Sequence, residues 1–378
     1  MAKKIKNNEE EIKSGKVEDV FKILEELNPD ASFLDENTLS TVNDWIDTGS
    51  YALNGIISGS LYKGVPMGRI VGFSGPSGCG KTLILNKIVA NAQKKGMHVI
   101  YADSENALDF DTSKRLGCDP STIKHLPVEL IESTRNQLVK LLKTIVENNL
   151  QGKFLIVIDS LGNLISSREA NVIEAGKDSA DMGSKAVSFK SMLRALTHAA
   201  AKANCPILFS NHTYENPNAM YPTLVKSQAG GSGPLYMSSV LLQMSTKQEK
   251  ASKLDNKNAN EDSTAISKDV NGLTLRFVTT KNRFISPFLE TELYLNFRTG
   301  LAKYSGLLEM AEAYNVIGKQ GHRYTFNDEV LGFYKDFKDN DEVWSKIIPV
   351  LDKKLQVELA FKNLSDISTE KQTDSDSE

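Results

Sequence analysis

The sequence predicts an α/β fold with a mainly parallel central sheet, an N-terminal helical arm and a small C-terminal α/β domain. Two observations carry this. Between Arg69 and about Asn211, short apolar runs alternate with amphipathic stretches of helical period. The order is RIVGFSG, KTLILNKIVANAQKK (stopped at Gly96), HVIYAD, TRNQLVKLLKTIVENN, KFLIVIDS, SKAVSFKSMLRALTHAAAKA and PILFSN. Apolar runs that short, bounded by helices, are what a parallel sheet buried on both faces produces. After Gly230 the pattern changes to successive strands, SVLLQMS, GLTLRFVTT and LETELYLNF.

The elements divide the chain as follows. In residues 1–43, Val17, Val20, Phe21, Leu24 and Leu27 fall at helical spacing and Asn28-Pro29 ends the run. Such an arm cannot make a core alone and must dock, on its own domain or on a neighbouring copy. Residues 44–300 form the core. Within it, 247–269 is rich in Lys, Asn, Asp and Ser and reads as a solvated hairpin extension or a disordered insert. Residues 301–364 read as the small C-terminal domain, with helical GLLEMAEAY, a turn pair around NVIGKQGHRYTF and helices near 340–363. Residues 365–378, ending in STEKQTDSDSE, form an acidic, low-complexity tail expected to be disordered.

Composition removes several function classes. With 378 residues, 40% apolar and 25% charged, the chain is neither collagen-like nor wholly disordered. The longest uninterrupted apolar run is Phe154 to Ile158, far below the roughly 20 residues of a membrane span. The start, MAKKIKNNEEEIKSG, lacks the apolar stretch of a secretory signal. Cys79, Cys118 and Cys205 have no pairing or metal spacing and read as reduced thiols of a cytoplasmic protein. A net charge of -3 argues against binding nucleic acid over the whole surface, and composition alone says soluble enzyme.

The strongest chemical signal is Gly75-Pro76-Ser77-Gly78-Cys79-Gly80-Lys81-Thr82, a complete G-x-x-x-x-G-K-[ST] between an apolar strand and an amphipathic helix. Its glycines let backbone N–H groups and the helix N-terminus face phosphates. Lys81 adds a point charge and the Thr82 hydroxyl a Mg²⁺ ligand. Asp159 ends the buried run FLIVID, where a carboxylate supports the Mg²⁺, usually through water. Hydrolysis also needs a group that activates water, and Asp103 and Glu105 both follow the strand HVIYAD at the same sheet edge. Pattern alone divides that role evenly between them. His212, after PILFSN, reaches this edge too.

With these pieces in chain order, the sequence resembles the RecA-type homologous-recombination ATPases, most closely their bacteriophage UvsX branch. The resemblance is carried by DTGSYALNGIISG, PMGRIVGFSGPSGCGKT, YADSENALD, FLIVIDSLGNLISSRE, ILFSNHTYE, AGGSGPLYMSSV and TTKNRFISPF, from about Asp47 to Phe288, and YSGLLEMAEAYNVI extends it. SLGNL, NHTYE and GGSGP are the phage-like segments. The resemblance implies a RecA-like P-loop core using ATP and Mg²⁺, which polymerises on single-stranded DNA as a helical filament, pairs it with homologous double-stranded DNA and exchanges strands. Single-strand-binding and mediator proteins are implied partners, no membrane is, and a phage protein of this kind works in the host cytoplasm.

The same resemblance selects Glu105 as the catalytic carboxylate and sets Asp109 near the adenine. Position 112 is Thr where bacterial RecA has an aromatic; Phe110 is the substitute. His212 stands where bacterial RecA has a glutamine that senses the γ-phosphate, a departure the phage branch shares. An imidazole N–H can donate to phosphate as an amide does. Lys281 and Arg283 match two cations that reach a neighbour's γ-phosphate across the filament interface, as arginine fingers supplied in trans. DNA-binding loop 1 is implied over about 166–183, with Arg168 and Met182, and loop 2 over about 213–231. Lys190 and Arg194, four apart on the helix after loop 1, share one face and look like a row that tracks DNA phosphates. Lys226 is the loop 2 cation, and Gly230, Gly231 and Ser232 bring backbone N–H groups toward phosphates. A RecA-core hexameric DNA helicase is the alternative, since it shares the P-loop, the glutamate and the trans cations. A third class coats DNA and uses ATP only as a switch.

Overall fold

A computed structural model describes residues 16–33, 39–106, 108–176, 182–214, 226–250 and 270–360. The chain divides into two compact units, Met1–Asn43 and Asp44–Glu378. In the first, residues 16–27 form α1. The Phe21 ring meets Phe33 edge-on at 5.2 Å. Pro29, which restricts the residue before it, follows the helix end.

The second unit opens with a small β1 (Trp45–Ile46) and β2 (Val65–Pro66) pair around α2 (Tyr51–Ser58). Ser50 caps α2 by accepting from Leu53 N, and Gly59 ends it in a left-handed conformation. Then come β3 (Ile70–Gly75), α3 (Lys81–Lys94), β4 (His98–Asp103), α4 (Phe110–Arg115), β5 (Ile123–Pro127), α5 (Ile131–Glu147) and β6 (Phe154–Asp159). They are followed by α6 (Ser167–Glu174), α7 (Met182–Lys202), β7 (Ile207–Tyr214), β8 (Ser227–Gln228), α8 (Gly233–Met237), β9 (Val240–Lys250), β10 (Val270–Asn282), β11 (Glu290–Asn296) and β12 (Gly300–Leu301). The central sheet runs β12-β11-β10-β9-β3-β7-β6-β4-β5. The strands from β9 to β5 pair in parallel, and those from β9 to β12 pair antiparallel.

Side-chain alternation sorts this sheet into two cores. Val71, Phe73, Leu155, Val157 and Leu208 face one side, against Ile84, Leu85 and Ile88 of α3. Ile70, Ile156, Ile158, Ile207 and Phe209 face the other, against Leu138 and Leu142 of α5 and Phe189, Met192 and Leu196 of α7. Gly72 is required at the centre, because a Cβ there would come within 2.3 Å of the Phe209 ring.

The C-terminal segment contains α9 (Leu307–Ala313), the three-stranded β13 (Gly318–Gln320), β14 (Arg323–Phe326) and β15 (Glu329–Gly332), α10 (Tyr334–Phe337) and α11 (Asp341–Glu358). Its apolar side chains join the cluster of the first sheet face: Trp344, Leu351 and Leu355 pack with Leu53, Ile57 and Leu61. The buried Asp352 carboxylate fastens this joint by accepting from Leu61 N at 2.6 Å and Ser60 Oγ at 2.8 Å. The strands flanking the 247–269 insert form a hairpin in which β9 runs to Lys250; residues 251–269 and the tail from 361 lie outside the described residues. No described helix is long and apolar enough to cross a membrane.

Candidate functional site

Four parallel strands, β3, β4, β6 and β7, deliver polar groups to one edge. β3 ends in the glycine loop, whose Gly78 and Gly80 adopt φ of 73° and 84°, conformations open to glycine without penalty. The loop feeds straight into α3, which has no acidic residue in its first turn, so the helix N-terminus keeps its positive end for an anion. The Lys81 ammonium is buried and folds over its own loop, donating to Gly75 O at 3.1 Å and Pro76 O at 2.8 Å. Among the described residues, carbonyls hold this charge where a phosphate would replace them.

Strand order brings Thr82 to Asp159. The Thr82 hydroxyl donates to Asp159 Oδ2 at 2.8 Å, although 77 residues separate them. Tyr101 OH donates to the same oxygen at 2.8 Å, and Ser210 Oγ donates to Oδ1. Burial first, and the nearby Asp159 second, push the Tyr101 phenol well above its ordinary range, so it stays a donor. A buried carboxylate ringed by hydroxyls suits Mg²⁺, which keeps several waters and takes only one or two protein oxygens beside phosphates.

Asp103 and Glu105 part company in three dimensions. Asp103 is 2% exposed, and both its oxygens are engaged: Oδ1 accepts from Glu105 N at 3.0 Å, Oδ2 from Leu108 N at 3.1 Å, with His125 Nε2 also 3.1 Å from Oδ2. It holds the turn, and Glu105 is left exposed at the same edge. Glu105 Oε1 lies 3.2 Å from His212 Nε2, so the two polar residues beyond the P-loop meet each other. The His212 ring packs close to Gly162, where a Cβ would sit 3.2 Å from its Cδ2.

The family model described as RecA N-terminal domain matches residues 30–302. The chain belongs to the RecA family. Protein RecA of Wolbachia sp. subsp. Drosophila simulans is 28% identical over 309 residues, covering 80% of this chain and 79% of the relative. Protein RecA of Clostridioides difficile is 28% identical over 328 residues, covering 85% and 84%. That of Treponema denticola is 29% identical over 297 residues, covering 77% and 66%. This RecA-family protein is an ATP-dependent recombinase of DNA recombination and repair, a DNA-dependent ATPase with strand-exchange activity that uses ATP with Mg²⁺.

The remaining sequence-selected residues of this RecA-family chain lie elsewhere. Asp109 caps α4, accepting from Thr112 N at 2.9 Å and Thr112 Oγ1 at 3.0 Å, and these bonds hold its carboxyl below the usual range. Phe110 beside it is 62% exposed. Lys281 and Arg283 sit at the opposite, amino edge of the sheet. Lys281 Nζ donates to Leu235 O and Tyr236 O, both at 2.7 Å, and Arg283 Nη2 to Tyr236 O at 3.3 Å. Burial, and then the neighbouring Arg283, push the Lys281 amine down to about 8.

On the α5–α7 side, the segment read as loop 1 is largely helical. Ser166 caps α6 through Glu169 N at 3.1 Å, a serine-initiated helix start that turns residues 167–174 into structure and carries Arg168. Met182 opens α7, and Lys190 and Arg194 are exposed on it. Loop 2 leaves β7 and returns through β8, with Thr213 opposite Gln228; its tip, 215–225, lies outside the described residues. Lys226 N donates to Gln243 Oε1 at 2.9 Å. Gly230 (φ 85°) lies against α7 so closely that a Cβ would come within 2.8 Å of the Phe189 ring. Gly231 also has positive φ, and Ser232 leads into α8, whose Gly233 abuts Lys190.

Sequence reasoning missed Tyr101, Ser210 and Gln228. Tyr101 and Ser210 each sit two residues before a selected residue, Asp103 and His212, on the same strand face; a polar residue on that face of an otherwise apolar strand was the available signal. Gln228 gave no such signal. Its amide donates to Ser74 Oγ at 3.2 Å, tying the loop 2 stem to the strand of the P-loop.

Proposed function

We propose that this protein is a recombinase of the bacteriophage UvsX branch, acting in the host cytoplasm as a helical filament on single-stranded DNA. SLGNL, NHTYE and GGSGP support the branch, as does the histidine at position 212. In this reading Gly75 to Thr82 cradle the triphosphate, and Thr82 with Asp159 holds the Mg²⁺, which offsets phosphate charge. Glu105 takes the proton of the attacking water. His212, bonded to Glu105 in the free chain, turns to donate to the γ-phosphate and releases the carboxylate for that work. Its strand leads directly into loop 2, so nucleotide state reaches the DNA side. Asp109 and Phe110 flank the adenine.

The observation that carries the filament reading is the separation of the two sheet edges. Lys281 pairs with Leu241, which pairs with Gly72, and Arg283 N bonds to Ser239 next to the start of β3. At 3.3 Å per residue these cations lie about 10–17 Å back along the strand from the Gly75 end. They serve the γ-phosphate of a second copy, which makes hydrolysis depend on assembly. The arm 1–43 docks on that neighbour. Arg168, Met182, Lys190, Arg194, Lys226, Gly230, Gly231 and Ser232 line the DNA path, single-strand-binding and mediator proteins act at loading, and the acidic tail 365–378 competes with DNA.

A strand-exchange assay with and without ATP tests the reading, with electron microscopy of the chain on single-stranded DNA and a non-hydrolysable ATP analogue. ATP-dependent exchange and open helical filaments are expected. Closed hexameric rings without filaments would sink it in favour of a helicase.

A further inference from the structure

We propose that the outer face of α5 continues the phosphate track of α7, so that Arg135, Lys140 and Lys143 hold the sugar–phosphate backbone of DNA beside Lys190 and Arg194. The proposal rests on the reading that Lys190 and Arg194 contact DNA, and extends that surface across a second helix.

The two helices lie side by side and run parallel: Glu132 of α5 meets Ser188 of α7, and three residues on Arg135 meets Ser191. Between them runs a groove of about 320 Å³ lined by Arg135, Asn136, Val139, Lys140, Lys143 and Ala195. Arg135 Nη1 donates to Ser191 Oγ at 3.0 Å, and Ser191 directly follows Lys190 in α7. The guanidinium of one helix is thereby held against the turn of the other that carries Lys190. With Arg135 level with Ser191, a rise of 1.5 Å per residue carries the row roughly 13 Å from Lys190 to the level of Lys143. That spans a length of backbone rather than one phosphate.

The charge of this face is unbalanced. Met182–Lys202 contains no acidic residue. The Glu132 carboxylate at the head of the groove is spent: Oε2 accepts from Ser167 N and Ser167 Oγ, both at 2.9 Å, and Oε1 from Ser188 Oγ at 2.6 Å. Among the described residues, no ion pair with a carboxylate joins Arg135, Lys140, Lys143, Lys190 or Arg194. Clustered like charges repel, and a polyanion relieves that repulsion while shedding its own counterions. Val139 and Ala195 make the groove floor, and no aromatic side chain lines it, so it offers no stacking platform for bases. The matching chemistry is a backbone read without regard to sequence.

The test is fluorescence anisotropy of labelled oligo-dT with the full chain and a non-hydrolysable ATP analogue, across a NaCl series. Lys140→Ala with Lys143→Ala should weaken binding several-fold and make the slope of log K against log salt shallower by about 1.4, two single-strand phosphates at about 0.7 each. Lys140→Arg with Lys143→Arg should keep the parental affinity and slope, which separates lost charge from lost fold. Lys190→Ala with Arg194→Ala runs in parallel. If that pair flattens the slope and the α5 alanine pair does not, the α5 track is overturned and its face falls to an acidic protein partner. If neither pair changes the slope, the α7 reading falls with it.

Discussion

At the carboxyl edge of the central sheet, each oxygen of the buried Asp103 and Asp159 carboxylates has a partner, supplied by backbone N–H groups, by hydroxyls and by His125. At the amino edge, Lys281 and Arg283 rest on the main-chain carbonyls of Leu235 and Tyr236. The first arrangement spends charge on holding groups in place. The second parks two cations on neutral carbonyls, which a phosphate outcompetes because its own negative charge adds an ion-pair attraction that a carbonyl lacks. The difference teaches how the proposed reading works: one chain would hold two halves of an ATP site at opposite sheet edges, and joining them would take a second copy.

The largest expected effect comes from removing the anion side of the comparison. Lys81→Ala should lower ATP turnover to background and abolish nucleotide-dependent assembly, read by a phosphate-release assay and by light scattering; filaments formed normally with ATP would refute the phosphate role. Arg283→Ala attacks the opposite edge. It should leave ATP binding by the monomer intact yet cut DNA-stimulated turnover by about 10³-fold, and normal turnover would show that the two edges do not meet. Glu105→Gln should reduce turnover by about 10²-fold while preserving nucleotide binding; in isothermal titration an unchanged ATP affinity separates it from a folding defect.

Two smaller effects sharpen the comparison. With the Lys281 amine held down to about 8, its positive charge is lost as pH rises through that value, and DNA-stimulated turnover should fall with it. Lys281→Arg should move this alkaline limb to higher pH. The stability sign is opposite: above about 8 the unfolded chain holds more protons than the folded one, so this group's contribution to stability rises with pH toward the ordinary lysine value of 10.5. Last, Gly230→Ala imposes a left-handed conformation costing about 1–2 kcal/mol, besides contact with Phe189. A lower urea midpoint with weaker oligo-dT binding is expected, and parental values for both would remove the close α7 contact from the account.

Much of the fold was legible because its signals are local. The alternation of short apolar runs and amphipathic helices announced β3, β4, β6 and β7 with α3, α5 and α7 between them. β5 and α4 were not legible. IKHLP is short and half exposed, with no run of apolar residues, and becomes a strand because β4 offers it a free edge. FDTSKR is a helix because Asp109 caps it, a residue that the family resemblance set near the adenine.

By itself the sequence determined the parts whose members are contiguous: the P-loop with its strand and helix, Asp159 at a strand end, and the helical spacing of Lys190 and Arg194. Backbone propensity and periodicity act over a few residues, so a linear pattern can record them. Only the tertiary structure buried Asp103 in its turn and left Glu105 beside His212, brought Ser210 and Tyr101 to Asp159, set Lys281 and Arg283 at the far edge and bonded Arg135 to Ser191. Those outcomes follow from strand order and helix register. Both are chosen by burying two sheet faces at once, a condition that no single segment of the chain contains.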